Sequence, residues 1–211
     1  MKVPKDSKRR ELWNRITQQT IHEAVVRLVT RNGYQGFTMD QVAEEAGVAK
    51  GTLYLYFKSK EALLESVKES SLQPLRKELT DILDSDRSCR GKVEEFVVRQ
   101  FAYFDEHGDL IRFLLEERRL AQLHRKRQGD NRYKEMLSKV SSVLEAGMNG
   151  GEFRAMDVRK VSAILMEASI AVIVQRLWDK APSPWKDDAR ILIEVFLRGI
   201  AAGPSVYKGG T

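Results

Sequence analysis

Cysteine is almost missing from this chain: Cys89 is the single one in 211 residues. That excludes an internal disulfide and any cysteine-rich zinc site, and it suits a reducing, cytoplasmic setting. Histidine is nearly as scarce. His22, His107 and His124 stand far apart, and none has a carboxylate three or four residues on in a metal-ligating pattern. No stretch approaches the roughly 20 apolar residues that span a bilayer. The basic N-terminus has no apolar run behind it, so neither a signal peptide nor a membrane partner is expected. A Gly-rich phosphate loop, a nucleophile elbow and a His-Glu-x-x-His helix are all missing. Together these absences argue against an enzyme and against a metal or other cofactor.

What is present is a chain with 42% apolar residues, enough for a real core, and a net charge of +6. The charge is unevenly placed. Residues 1–60 hold 11 Lys and Arg against 6 Asp and Glu, whereas the rest of the chain is nearly balanced. A local basic excess is the electrostatic footprint of a phosphate-bearing partner.

That same segment contains Thr38 to Lys60, TMDQVAEEAGVAKGTLYLYFKSK. Thr38 with Gln41 three residues on has capping-box spacing. Val42, Ala43 and Ala46 share one helix side, and Gly47 supplies the positive φ that closes a helix. A second helix, about Ala49 to Phe57, buries Leu53 and Phe57 at i, i+4. Lys50, Gly51, Thr52, Leu55 and Tyr56 are left facing outward, with Tyr54 at the border. Small residues permit close approach, Lys and Thr reach base edges, and Tyr hydroxyls donate to phosphates. Two helices about a glycine turn also occur as plain helix packing.

The residues Phe37-Thr38, Val42-Ala43, Ala46-Gly47-Val48, Lys50 to Tyr54, Tyr56-Phe57 and Ser59 to Leu63 form a longer ordered match. In this run the chain closely resembles the DNA-binding domain of the tetracycline-repressor (TetR) family of bacterial regulators. The match covers residues 15 to 65. Many members carry Ser where Ala49 stands, so one cap, worth about 0.5–2 kcal/mol, and one phosphate contact are missing here. The resemblance implies a dimeric, ligand-responsive DNA-binding regulator, usually a repressor released from a near-palindromic operator by a small effector. A ligand-independent DNA-binding or architectural protein is the alternative. Bases should meet Lys50, Gly51 and Thr52, and phosphates Thr38, Tyr54, Tyr56 and Lys60. Thr38 and Lys60 qualify because each begins a helix, where backbone donors favour an anion.

Elsewhere the patterning is helical throughout. The basic arm 1–10 lies on DNA or is a solubilising tail. A first helix spans about Glu11 to Asn32, with a stripe of Leu12, Ile16, Ile21, Ala24, Val25, Leu28 and Val29; Gly33 ends it, and Tyr34 folds back. Ser59 caps a long fourth helix to about Leu83, which Pro74 should kink or interrupt. Asp84 to Gly91 reads as a loop and Lys92 to Glu106 as a helix. A further helix starts at Asp109, and its charged end His124 to Arg127 reads as a solvated terminus. Another helix closes near Gly147, and Asp157 is the N-cap candidate for the next. The segment Val161 to Trp178 is apolar nearly all round, too short for a bilayer, and should be buried on more than one side. A last helix, about Trp185 to Ile200, joins it to complete a monomer core or, as the resemblance implies, to pair with a second copy as a dimer interface.

The expected fold is therefore all-α, with a basic arm and helix-turn-helix head over residues 1–58 and a helical effector-binding and dimerisation domain over 59–211. The resemblance places the effector among the helices between about Lys92 and Trp178. There Phe101, Phe104, Phe113, Met136, Met166 and Trp178 are ordinary core or line a mainly apolar ligand.

Overall fold

The computed structural model describes residues 7–32, 37–108, 110–112 and 131–201. Within them the chain is helical, and the extended pairing is an isolated bridge between Phe153 and Ala201. The helices are α1 (Ser7–Asn32), α2 (Met39–Glu45), α3 (Lys50–Tyr56), α4 (Lys60–Asp84), α5 (Cys89–Glu106), α6 (Asn131–Asn149), α7 (Val158–Trp178) and α8 (Trp185–Ile200). Helix α1 begins before the apolar pattern does. Leu12 and Ile16 are about half exposed, and the buried stripe starts only at Thr17 and Ile21. The expectations for Gly33, Tyr34, Phe113 and the cluster His124 to Arg127 lie outside the described residues.

The chain divides into two compact units. The first holds α1 to α3, the start of α4 as far as Gln73, and residues 110–112. Ile21, Val25 and Val29 of α1 pack with Phe37, Val42, Leu53, Phe57, Leu63 and Val67 in one core, and Leu110 closes it. Full burial of such side chains contributes roughly 1.5–3 kcal/mol each. Arg27 and Arg31 on α1 also grip Glu45 at the end of α2, Arg27 Nε at 2.8 Å. These two guanidiniums hold the Glu45 carboxyl below its ordinary pKa.

The second unit begins at Pro74. Of the two effects expected of Pro74, a kink or an interruption, the interruption does not occur: α4 runs on to Asp84 with Pro74 inside it. Buried Leu75, Leu79 and Leu83 anchor the turns that follow. Helix α5 starts three residues earlier than its apolar pattern suggests. Ser88 Oγ accepts from the Gly91 N–H, and the distant Glu152 carboxylate accepts from the Cys89 and Arg90 N–H groups at 3.1 and 3.0 Å. Those bonds satisfy first-turn donors that would otherwise lack partners.

Helix α7 packs on α5, α6 and α8. It buries Ser162, Leu165, Met166, Ser169, Ile173 and Leu177, a single face at helical spacing. The two serines return their hydroxyls to the carbonyls of Val158 and Leu165 at 2.6 and 2.8 Å, so no polar group is stranded. One expectation is corrected here. With 21 residues and, over its most apolar 18, a mean hydropathy of 1.5, α7 is long and apolar enough to cross a membrane. Within the single chain it is buried on one face, and Ile164 stays 59% exposed. Its packed face is that of a core helix, and its opposite face remains apolar and uncovered.

Candidate nucleic-acid interface

Thr38 caps α2 in both directions. Its hydroxyl oxygen accepts from the Gln41 N–H at 3.2 Å, and its own N–H donates to Gln41 Oε1 at 2.8 Å. Gly47, at φ +64°, then turns the chain after Ala46. Such a left-handed residue costs any L side chain about 1–2 kcal/mol. Ala49 begins α3 with extended backbone and no side-chain cap, as the missing serine implies. Helix α3 rests on the core through buried Leu53, with partly buried Tyr56 packed beside it and Phe57 following.

The remaining residues of α3 form its outer face. Lys50, Gly51, Tyr54 and Leu55 are exposed, Leu55 by 74%, and Thr52 is half-buried. Nothing lies within 4 Å of the place a Cβ on Gly51 would occupy. Lys60 begins α4 with its ammonium 4.9 Å from the centroid of the Phe37 ring, next to Ser59, whose Oγ accepts from the Ala62 N–H. Tyr56 is half-buried rather than free. Its hydroxyl donates to Asn14 Oδ1 at 2.8 Å, tying α3 to α1.

Two partners of this face escape sequence reading. Asn14 holds Tyr56 from 42 residues away. Asp40, in the first turn of α2, takes the Lys50 ammonium on both oxygens at 2.7 and 2.8 Å and raises the lysine's pKa. No periodicity marks either contact, because each joins residues on different helices.

The residues named for a ligand differ in burial. Phe101 and Met166 are buried, Phe104 and Met136 half-buried, and Phe113 is outside the described residues. Trp178 is 39% exposed at the end of α7. A groove of about 700 Å³ lies in the first unit, lined by Arg15, His22, Glu23, Arg27, Ser70 and Gln73 among others. That lining mixes polar side chains with apolar surface and includes none of those residues.

A capped helix, a glycine turn and a second short helix presenting lysine, glycine and tyrosine outward define a helix-turn-helix DNA-binding regulator. A sequence profile described as "Bacterial regulatory proteins, tetR family" matches residues 21–67, the stretch that builds this head. The head these residues build is therefore that of the TetR family of transcriptional regulators. It is 24% identical over 187 residues to the Bacillus subtilis regulator YhgD, covering 88% of this chain and 97% of that one. It is 26% identical over 140 residues to the fatty acid metabolism regulator protein of the same organism, covering 66% and 72%. The crystal structure of Bacillus subtilis FadR in complex with stearoyl-CoA has the same fold, with a TM-score of 0.67 over 86% of this chain and 98% of that one at 20% identity.

Proposed function

We propose that this regulator is a homodimeric repressor whose residues 1–58 read a near-palindromic operator. Residues 59–211 then hold the dimer contact and a small, mainly apolar effector that releases the DNA. Gly51 carries the DNA-reading part. A glycine in a helix costs roughly 0.5–1 kcal/mol relative to alanine, and here no neighbour in the fold needs the space. What does need it is a surface laid against α3, and the major groove accepts a helix closely. Lys50 and Thr52 beside it reach base edges, Thr38, Tyr54 and Lys60 take phosphates, and Tyr56 does so by exchanging Asn14 for one.

The dimer reading is supported by α7 and α8, which expose Ile164, Trp178, Ile191 and Val195 by 59, 39, 56 and 68%. Apolar surface of this kind on adjacent helices marks an interaction face. Two copies joined there carry two heads, hence two half-sites. The effector reading is supported by a relative named for fatty acid metabolism and a neighbour holding stearoyl-CoA, an acyl chain on an anionic head. Phe101, Phe104, Phe113, Met136, Met166 and Trp178 are the side chains proposed to meet the apolar part.

An effector that prefers the DNA-incompatible form shifts the population toward it. By linkage, operator DNA weakens effector binding by the same factor, typically worth about 1–3 kcal/mol. The test is a thermal-shift screen of fatty acids, acyl-CoAs and sterols, followed by operator release with each hit. Hits that stabilise the protein but leave operator affinity unchanged would leave a ligand-independent DNA-binding protein.

A further inference from the structure

The Asp40–Lys50 contact sits on the face that reads DNA and does nothing obvious for the fold. Both side chains are mostly exposed, 63 and 61%, and exposed ion pairs contribute little to stability. Its geometry is more telling than its strength. The aspartate receives the ammonium on both oxygens, at 2.7 and 2.8 Å. An ammonium has three N–H donors and no acceptor. One hydrogen bond is directed back at Asp40 Oδ2, and a donor is left to point away from the carboxylate. The pair as a whole is neutral.

A neutral pair and a free lysine behave differently beside a duplex. A free ammonium binds phosphates anywhere along DNA and releases a counterion each time, which is sequence-independent affinity. An ammonium already held by a carboxylate gains little by exchanging one anion for another, and the exchange leaves Asp40 bare beside the phosphate backbone. The remaining donor still fits a neutral acceptor such as guanine O6 or N7, which lysine recognises in the major groove. That contact requires no separation of the pair.

We propose that Asp40 is a specificity-determining, positioning residue: it holds Lys50 off the phosphates of unselected DNA and aims its free donor at a base. This rests on the reading of α3 as the base-reading helix. Asp40 also lies in the first turn of α2, where any acidic side chain is mildly favourable, and a role confined to that would not touch DNA selectivity.

The experiment compares binding of a selected operator and of random duplex across a range of salt, for the full-length protein, Asp40→Asn, Lys50→Ala and the double variant. Asp40→Asn should bind random duplex about threefold tighter at moderate salt, with a salt slope steeper by about one, as expected for one new phosphate contact. Its operator affinity should change less, so the ratio of the two falls. Lys50→Ala should lose operator affinity and leave random binding nearly unchanged. In the Lys50→Ala background, Asp40→Asn should have no further effect on the random-duplex slope. Asp40→Glu, which keeps the charge, should keep the wild-type ratio. An unchanged ratio in Asp40→Asn overturns the inference while wild-type discrimination leaves α3 as the reader. The same gain with and without Lys50 also overturns it, since that is loss of a negative charge alone. If the wild type itself prefers no operator over random duplex, the base-reading role of α3 fails and this inference fails with it.

Discussion

Helices α3 and α7 each leave much of their surface uncovered within one chain, but what they expose differs in kind. Helix α3 buries Leu53 and offers lysine, glycine and tyrosine outward. Helix α7 buries one face of six side chains and exposes Ile164, Ala171 and Trp178 on others. Exposure alone says only that something else fits there. The chemistry of the exposed side chains selects what: a charged, hydrogen-bonding duplex for α3, and another apolar surface for α7.

The harshest test of that contrast is to put charge on α7. Ile164→Arg or Ala168→Arg should convert a dimer to monomer in sedimentation, at a cost of about 3 kcal/mol or more for an unpaired buried charge. Ile164 is exposed in the single chain, so helix content should not change. A dimer that survives would mean the outer face of α7 has a different cover.

Two glycines sharpen the comparison further. A Cβ on Gly147 would stand 2.2 Å from the Phe153 ring. Gly147→Ala should therefore lower stability by about 1–3 kcal/mol in denaturant unfolding, as overpacking does. On α3, Thr52→Ala should change base preference by about 1–3 kcal/mol in a panel of single-base operator variants. Lys60→Ala should weaken all sequences alike and lower the salt slope by about one. Gly51→Ala should do the reverse of Gly147→Ala, stabilising the free protein by about 0.5–1 kcal/mol while weakening the operator complex.

The smallest effect concerns acid. His22 lies with Nε2 3.0 Å from Ser66 Oγ and its ring 5.8 Å from that of Phe57, and burial lowers its pKa from the ordinary 6.5. Arg15, Glu23 and Arg27 on α1 and Ser70 on α4 line the groove beside it. The unfolded chain then takes up a proton at a higher pH than the folded one. The stability from neutral His22 is present above 6.5 and lost as pH falls from there through the lowered value. Thermal unfolding between pH 7 and 5 should show that loss in the wild type and less of it in His22→Gln.

Much of the head was legible because its signals are local. The capping box of Thr38 and Gln41, the turn at Gly47, the i, i+4 pair Leu53 and Phe57, and the cap at Ser59 each lie within a few residues of what they control. Contacts across helices were not legible, among them Asp40 with Lys50 and Glu152 with the start of α5. Periodicity also fails to say where a core stops, so Leu12 and Ile16 fit the stripe of α1 yet face outward. Composition showed that α7 is apolar nearly all round, but not which of its sides the single chain leaves uncovered. Pro74 shows the limit of a local rule in the same way: it left a kink and an interruption both open, and α4 continues through it.

The segment between α6 and α7 bears on how this protein tolerates change in length. Glu152 holds the start of α5, Phe153 covers Gly147 at the end of α6, and the Arg154 N–H and Nε donate to Ile200 and Gly199 at the end of α8. Interhelical loops are ordinarily where insertions and new chain ends are accepted. This one ties three helices through consecutive residues, so adding or removing even one residue would shift all three attachments together. By contrast, Asp86 and Arg87 are exposed ahead of the Ser88 cap. Length variation, tags and circular permutation should be accepted there and rejected between Gly150 and Arg154.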